Sequence, residues 1–242
     1  MFPAYVIHSV SLPERESHIR EEMRRAGLNF EWVLDFEPSA ISDEINRKFF
    51  SPSGDLTLAE KSCALKHIVA MQRIVERKQE MAFIIEDDAQ LRSDFHAKLQ
   101  VVLKDAERWP RPRILHLGAA SNFYTPASQL IPGQHVFEGS RVRNMEMYAL
   151  GTTEAQARLD WIARHRLSLP IDIAFNKADP EMGIPFLWSE PPLAEQGSLN
   201  GKFASSLSRK NRSQFRLKIQ FAYQRFCRAK VKRWFGYMRG SQ

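Results

Sequence analysis

The sequence predicts an α/β fold with a mostly parallel central sheet and a basic helical tail. Short apolar runs typical of buried strands alternate with longer amphipathic segments typical of helices, and this order favours parallel strands joined by helices. One of the runs, residues 81–85, continues directly into three acidic residues. With 242 residues, the chain is long enough for one such domain and an appendage.

The N-terminal elements follow from short apolar runs and one helix stop signal. We predict a strand at residues 5–7 and a helix at 13–26, ended by Gly27. A second strand is predicted at residues 30–34. Residues 38–58 have little periodicity and several turn formers, so we expect mostly loop there.

The spacing of a capping box marks the start of the next helix. Thr57 precedes Glu60 by three residues, which allows each side chain to bond the backbone of the other. Apolar residues then recur at helical spacing as far as about Lys78. The run at residues 81–85 follows and is short enough to be a strand buried in a parallel sheet.

Further strands and helices are predicted in the second half of the domain. Residues 95–107 are amphipathic and predict a helix, and the apolar run at 114–118 predicts a strand with a glycine exit. Residues 119–141 are rich in turn formers. A strand is then expected at 145–150 and a helix at 153–165.

Three consecutive carboxylates, Glu86, Asp87 and Asp88, follow the strand at residues 81–85. Unpaired charges cannot be buried in a strand without a cost of several kcal/mol, about 2–7 for a neutral polar group and more for a charge, so they belong where the strand ends. The carboxyl edge of an open α/β sheet is where ligands bind. Adjacent carboxylates suit a divalent cation that bridges to phosphates, whereas the alternative is an acidic loop that caps a helix.

The positive net charge of +7 is concentrated at the C-terminal end. Residues 1–195 hold 23 basic and 28 acidic residues, and the segment from residue 196 onward holds twelve basic residues and no acid. We therefore predict a mildly acidic domain at residues 1–205 and a basic tail at 206–242.

Within the tail, apolar residues recur near helical spacing between lysines and arginines. They are Tyr223, Cys227, Val231, Trp234 and Met238. A cationic, aromatic, amphipathic helix is typical of contact with an anionic membrane surface. The alternative is a helix packed on the domain with a solvated basic face. Nucleic-acid binding is less favoured, because the tail has neither a recognition-helix pattern nor a zinc-ligand spacing.

Composition also indicates the compartment. No apolar run approaches the roughly 18 residues that would span a bilayer, and the first residues lack the layout of a secretory signal. Cys63 and Cys227 lie far apart in sequence, so we expect no disulfide framework and a reducing cytosol. We interpret Cys63 as a packing residue on the core side of its helix.

An ordered set of motifs resembles glycosyltransferase family 25, which includes bacterial lipopolysaccharide and lipooligosaccharide galactosyltransferases. The resemblance covers roughly residues 4–200. Its motifs are Tyr5-Val6-Ile7 with Glu14-Arg15, the helix from Glu60 to His67, Glu86-Asp87-Asp88, Ile114 to Gly118, Tyr148-Ala149, Pro170-Ile171-Asp172, and Pro192 with Gln196 and Ser198. The chain departs from the family pattern at His8-Ser9, Ser11, Ser62 and Lys66, around the nucleotide end of the site.

The resemblance implies a GT-A-like fold and an inverting transfer of a sugar from a nucleotide diphosphate, with UDP-galactose as the expected donor. It implies a lipid-linked saccharide as acceptor, at the cytoplasmic face of the bacterial inner membrane. A manganese or magnesium cofactor is expected, with Asp88 as its direct ligand, Glu86 in support, and Asp87 on the ribose or the metal.

Further site residues are implied by the same resemblance. His8, Arg15, His67 and Gln196 are expected to bind the nucleotide-sugar. The alternative for His67 is a structural role in its helix, and for Arg15 a solvated surface charge. Asp172 is the candidate catalytic base, since a carboxylate charged at neutral pH can accept the proton of the attacking hydroxyl.

Two alternatives to these assignments remain open. Asp172 could instead cap the segment through Lys177, and Glu190 and Glu195 are the fallback candidates for the base. The protein as a whole could be a catalytically degenerate transferase-fold module that binds a membrane or a polyanion.

Overall fold

The computed structural model describes residues 2–119, 124–125, 129–203, 214–227 and 231. The strands are β1 (Ala4–Ile7), β2 (Glu31–Val33), β3 (Ala82–Glu86), β4 (Ala89–Leu91), β5 (Ile114–His116), β6 (Val136–Glu138), β7 (Met147–Leu150), β8 (Phe186–Ser189) and β9 (Ala194–Gln196). The α-helices are α1 (Pro13–Ala26), α2 (Asp43–Phe49), α3 (Leu58–Glu76), α4 (Phe95–Ala106), α5 (Thr152–His165), α6 (Ile171–Glu181), α7 (Gly197–Asn200) and α8 (Gln214–Phe226).

The central sheet of the described residues has seven strands in the order β2-β1-β3-β7-β5-β8-β6. Strands β1, β2, β3, β5 and β8 run in one direction, whereas β7 and β6 run antiparallel to their neighbours. This confirms the predicted α/β class and the mostly parallel sheet. A separate two-stranded sheet pairs β4 with β9 and brings Gln196 opposite Ala89.

Both faces of the central sheet are covered by helices. Ile84 and Tyr148 pack with α3, α5 and α6 on one face, whereas Phe83 and Ile85 pack with α1 and α4 on the other. Because successive side chains of a strand point to opposite faces, a strand covered on both sides needs apolar residues at every position. This explains why β3 was recognisable as a continuous apolar run.

Several helix boundaries agree with the sequence signals. Helix α1 spans the predicted residues and ends at Gly27, whose φ of 64° is the left-handed conformation that glycine adopts without strain. Helix α3 begins with the predicted capping box, in which Thr57 and Glu60 exchange side chain–backbone hydrogen bonds.

The expectation that residues 38–58 are mostly loop is wrong. The segment contains α2, whose first turn is capped by Ser42, and a short 3-10 helix at Pro38–Ala40. Helix α2 has seven residues, and only Ile45 and Phe49 pack against the core, so its apolar pattern is too short to predict a helix. Strand β6 likewise occurs inside the stretch expected to be turns.

Part of the predicted tail helix is present as α8. Its Phe221 is buried, while Ile219, Tyr223 and Phe226 are exposed. The positions of Trp234 and Met238, and the predicted domain boundary at residue 205, lie outside the described residues. Among the helices of the described part of the chain, none has the length and apolar character needed to cross a membrane.

Candidate active site

The three acids lie where the sequence predicts, at the carboxyl end of β3. Strand β1 ends beside it, with Ile7 opposite Glu86 in the parallel register. A cavity of about 240 Å³ opens at this edge. Six of the eight predicted site residues line it, namely His8, Arg15, Glu86, Asp87, Asp88 and Gln196.

Asp87 is held by His8, which follows β1, and by Arg15, in the first turn of α1. Its Oδ1 accepts a hydrogen bond from Arg15 Nη1 at 2.9 Å, and its Oδ2 lies 2.8 Å from His8 Nδ1. Burial disfavours the charge of Arg15, but Asp88 and Asp87 outweigh it and raise the pKa of the guanidinium. Asp87 therefore fixes the orientation of both side chains at the cavity wall.

The bond to Asp87 uses one ring nitrogen of His8. The other, Nε2, is buried and has no hydrogen-bond partner among the described residues. Trp32 packs against the imidazole with a centroid separation of 5.1 Å. His8 is thus fixed in orientation while keeping one polar atom for a ligand.

Glu86 connects the cavity to the interior. Its Oε2 accepts a hydrogen bond from Gln196 Nε2 at 3.1 Å, and Gln196 Oε1 in turn accepts one from Asn144 Nδ2 at 2.8 Å. Burial and the neighbouring charges of Asp88 and Glu146 raise the pKa of Glu86 well above its ordinary value. A cation beside this carboxylate would offset both effects.

His67 lies next to Glu86 and does not line this cavity. It is fully buried, with Nε2 3.4 Å from Glu86 Oε1 and Nδ1 3.0 Å from the Tyr148 hydroxyl. Burial, with a smaller effect of Arg158, lowers the pKa of His67 to about 3. The imidazole is therefore neutral near pH 7, and in this position it orients Glu86.

Asp88 has one satisfied and one unsatisfied oxygen. Its Oδ2 accepts a hydrogen bond from the Ser198 amide at 2.9 Å, whereas its buried Oδ1 has no hydrogen-bond partner among the described residues. Burial raises the pKa of Asp88, against the opposing effects of Arg15 and Ser198. An oriented carboxylate with one oxygen that accepts no hydrogen bond from the described residues is a suitable ligand for a hard cation.

The backbone also holds the segment after β9 against Asp88. The Gly197 amide donates to the Asp88 carbonyl at 2.8 Å. A Cβ atom at Gly197 would lie 2.7 Å from that oxygen, which is too close for any other residue. Glycine is therefore required for this close approach, and the sequence alone gave no sign of it.

Asp172 lines a second, smaller cavity of about 80 Å³ next to the first. Cys63, Glu86 and Gln196 line both cavities. Asp172 is not the N-cap of α6 but lies in its first turn, where its Oδ1 accepts a hydrogen bond from the Ile173 amide at 2.9 Å and so stabilises the start of the helix. Burial raises the pKa of Asp172.

Cys63 faces the cavities, whereas Glu190 and Glu195, the fallback candidates for the base, are each paired with an arginine. Cys63 lies in the wall of both cavities, so its interpretation as a core packing residue is wrong. Glu190 is buried and bonded to Arg143 Nη2 at 2.6 Å and to the Thr125 amide at 3.0 Å. Glu195 pairs with Arg225 of α8.

One contributor to the site escaped the sequence analysis. Asn144 has a positive φ of 38°, an uncommon conformation for a residue other than glycine, and its side chain supports Gln196. Asparagine adopts this region more readily than most residues, but a single Asn in a turn-rich stretch gave no usable signal.

Comparison with known proteins identifies the family of the chain. The family model described as "Glycosyltransferase family 25 (LPS biosynthesis protein)" matches residues 1–150, which include α3 and the three acids. A protein of Haemophilus influenzae named "Putative glycosyltransferase" is 31% identical over 102 residues. That match covers 40% of this chain and 36%, about a third, of the relative. The chain belongs to glycosyltransferase family 25.

Proposed function

We propose that the protein is a metal-dependent, inverting glycosyltransferase of lipopolysaccharide or lipooligosaccharide assembly, with galactose from UDP-galactose as the transferred sugar. The observation that carries the proposal is the cavity at the carboxyl ends of β1 and β3. It combines Glu86, the open oxygen of Asp88 and the guanidinium of Arg15. Acidic groups for a cation beside a cationic side chain suit a diphosphate.

Glu86 and Asp88 would hold the divalent cation. The residues fit such an ion, because Asp88 presents a buried carboxylate oxygen without a hydrogen-bond partner among the described residues and Glu86 lines the same cavity. When bound, Mn²⁺ or Mg²⁺ would stabilise the negative charge that develops on the leaving diphosphate. Ser198 keeps Asp88 oriented for this role through its amide.

The remaining cavity residues divide into those that contact the donor and those that position the contacts. We assign His8 Nε2, Arg15 and Gln196 to the nucleotide-sugar. Asp87 holds His8 and Arg15 in place, and His67 holds Glu86 in place. In this proposal Asp87 and His67 therefore act as positioning residues.

Asp172 would take the proton of the acceptor hydroxyl. It lines the second cavity, which shares Glu86 and Gln196 with the first, so an acceptor there would lie next to a donor in the first cavity. In an inverting transfer the attacking hydroxyl enters the sugar carbon opposite to the leaving group, so the base belongs with the acceptor and not with the diphosphate. Burial raises the pKa of Asp172, which brings this pKa closer to the value near the working pH that suits a general base.

The test of the metal and phosphate assignment is Asp88→Asn. The substitution keeps the size of the side chain but removes the charge, and loss of several kcal/mol of charge stabilisation corresponds to at least about a 100-fold fall in turnover. Sugar-nucleotide turnover with and without added manganese is measured. The matched control is Asp94→Asn, since Asp94 pairs with Arg92 at the surface.

Two outcomes would contradict the proposal. Undiminished turnover in Asp88→Asn would remove the metal assignment. Failure of the parent protein to turn over any of a panel of sugar nucleotides would favour the degenerate binding module instead.

We further propose that the basic tail makes a peripheral contact with the anionic inner face of the cytoplasmic membrane. Ile219, Tyr223 and Phe226 are exposed and spaced by four and three residues, so they share one face of α8. Exposed apolar residues beside lysines and arginines are typical of an interfacial helix. Phe221 and the Arg225–Glu195 pair hold the same helix to the domain.

Vesicle sedimentation tests this contact. The parent should sediment with vesicles containing anionic lipid, less so at high salt, and the triple variant Ile219→Ser/Tyr223→Ser/Phe226→Ser should stay in solution. Equal sedimentation of parent and variant, or equal binding to purely zwitterionic vesicles, would contradict it.

A further inference from the structure

Three side chains at the base of the cavities converge on one point. Cys63 and His67 are four residues apart on α3, so they lie on the same face one turn apart. Glu86 reaches that face from the end of β3. The Cys63 sulfur, a nitrogen of His67 and an oxygen of Glu86 all lie within 4.8 Å of one another.

We propose that Cys63, His67 and Glu86 form a binding site for a soft divalent cation such as zinc, with a fourth coordination position open to the cavities. A thiolate, an imidazole and a carboxylate are the ligand types of zinc. Hard cations such as magnesium and manganese prefer oxygen ligands, so the sulfur favours zinc over them. Three protein ligands with one open position are typical of zinc sites that keep a water molecule or substrate.

The measured geometry is close to that of a four-coordinate site. Bonds of about 2.0–2.3 Å to zinc place neighbouring ligand atoms roughly 3.4–3.8 Å apart. The distance of 3.4 Å between His67 Nε2 and Glu86 Oε1 already has this value. The other separations are at most 4.8 Å, so they exceed the spacing in a zinc site by no more than roughly 1.4 Å.

Outer contacts orient two of the three ligands. The Tyr148 hydroxyl, 3.0 Å from His67 Nδ1, can accept a hydrogen bond from a protonated Nδ1, and this tautomer leaves the lone pair of Nε2 for a metal. Gln196 holds the second oxygen of Glu86. Ligating histidines and carboxylates usually have such partners.

The site also has an entry path and a favourable charge environment. Cys63 and Glu86 line both cavities, so an ion can reach them from outside. Asp88 lines the first cavity and Asp172 the second, and both carboxyl groups add negative charge near the site. The site shares Glu86 with the hard-cation site proposed above, and His67 orients that carboxylate, whereas Cys63 belongs to the zinc site alone. The cobalt–sulfur bond therefore reports on the zinc site separately from transferase activity.

Cobalt(II) is the probe for the thiolate, because a cobalt–sulfur bond gives a charge-transfer absorption in the near ultraviolet. The full chain, with its thiols reduced, should bind one Co²⁺ with this absorption, and Zn²⁺ should displace it. Cys63→Ser should lose the absorption, whereas Cys227→Ser, the matched change at the other free cysteine, should keep it. Tyr148→Phe should weaken zinc binding by about 10- to 100-fold.

A second measurement uses the unmodified protein and does not depend on a variant folding. Zn²⁺ should slow the alkylation of Cys63 by iodoacetamide, read by mass spectrometry, while Mg²⁺ should not. Absence of the cobalt absorption in the parent, its persistence in Cys63→Ser, or an alkylation rate of Cys63 that zinc leaves unchanged would overturn the proposal.

Discussion

At the scale of single residues, Asp172 gives the most direct test of mechanism. Its carboxylate must be ionised to accept a proton, and burial raises its pKa from the ordinary aspartate value of 3.8. Activity should therefore fall as the pH drops through this raised pKa, so the acid limb of the kcat/KM profile should lie above pH 3.8. Asp172→Asn should lose about 10²- to 10⁴-fold in kcat on the plateau above this pKa, where the parent carboxylate is ionised, and the difference should shrink at lower pH.

The matched control for this measurement is Asp160→Asn. Asp160 is exposed on α5, so this variant should keep the parent's profile. If Asp172→Asn retains the acid limb and most of its activity, the base lies elsewhere.

The sequence predicts which side chains lie at the site, but it does not predict which of their atoms are hydrogen-bonded and by which residues. Three consecutive acids after an apolar strand had to lie at the sheet edge, because they could not be buried without partners. Which of their oxygens is open could not be predicted. Asp88 is oriented by Ser198, 110 residues away in the chain, and Asp87 by Arg15, 72 residues away.

At the scale of elements, the capping box stabilises the start of α3, the helix that carries Cys63 and His67. The Glu60 amide donates to Thr57 Oγ1 at 3.2 Å, which satisfies one of the free amides at the helix start. Thr57→Ala should reduce the free energy of unfolding by about 1 kcal/mol, whereas Thr57→Ser should cost much less. Urea denaturation measures both.

The stability of α3 can be compared with that of α2, whose Ser42 accepts from the Ile45 amide at 3.3 Å. Because α2 carries none of the cavity residues, Ser42→Ala should lower stability by a similar amount without changing cobalt binding or turnover. If Ser42→Ala lost more turnover than Thr57→Ala, the conclusion that α3 and not α2 supports the cavity residues would be wrong.

Local signals were sufficient for elements that either have a strong cap or are buried on both faces. Helix α1 has Pro13 at its start and Gly27 at its end, and β3 is apolar throughout. Strands β4 and β9, by contrast, have three residues each and exist through their mutual pairing. So short a strand, defined by a partner about a hundred residues away, leaves no periodic pattern in the sequence.

At the scale of the whole molecule, the site is assembled from distant parts of the chain. Strand β3 supplies the acids, and the end of β1 and the start of α1 supply His8 and Arg15. The segment after β9 bonds to Asp88 through the Ser198 amide. Helix α6 adds Asp172 in the neighbouring cavity. The position of Asp172 therefore depends on how firmly α6 is held against α5 and the sheet.

A buried ion pair fixes α6 to α5. Arg158 Nε and Nη2 donate to the two oxygens of Asp179 at 2.9 and 2.6 Å, and the guanidinium lies over the Phe175 ring at 3.8 Å. Both charged side chains are fully buried. Because Asp179→Ala would leave the buried charge of Arg158 without a partner, it should cost about 3–5 kcal/mol in the free energy of unfolding.

The same helix provides the comparison that isolates burial as the cause. Lys177 and Glu181 form an exposed pair at 3.9 Å, so Lys177→Ala should cost only about 0–1 kcal/mol. Urea denaturation at neutral pH measures both variants. Since the ion pair positions α6 without touching either cavity, Asp179→Ala should also lower kcat through Asp172 under conditions in which it is still folded, whereas Lys177→Ala should not. Equal stability of the two variants would mean that α6 is held by its apolar contacts alone.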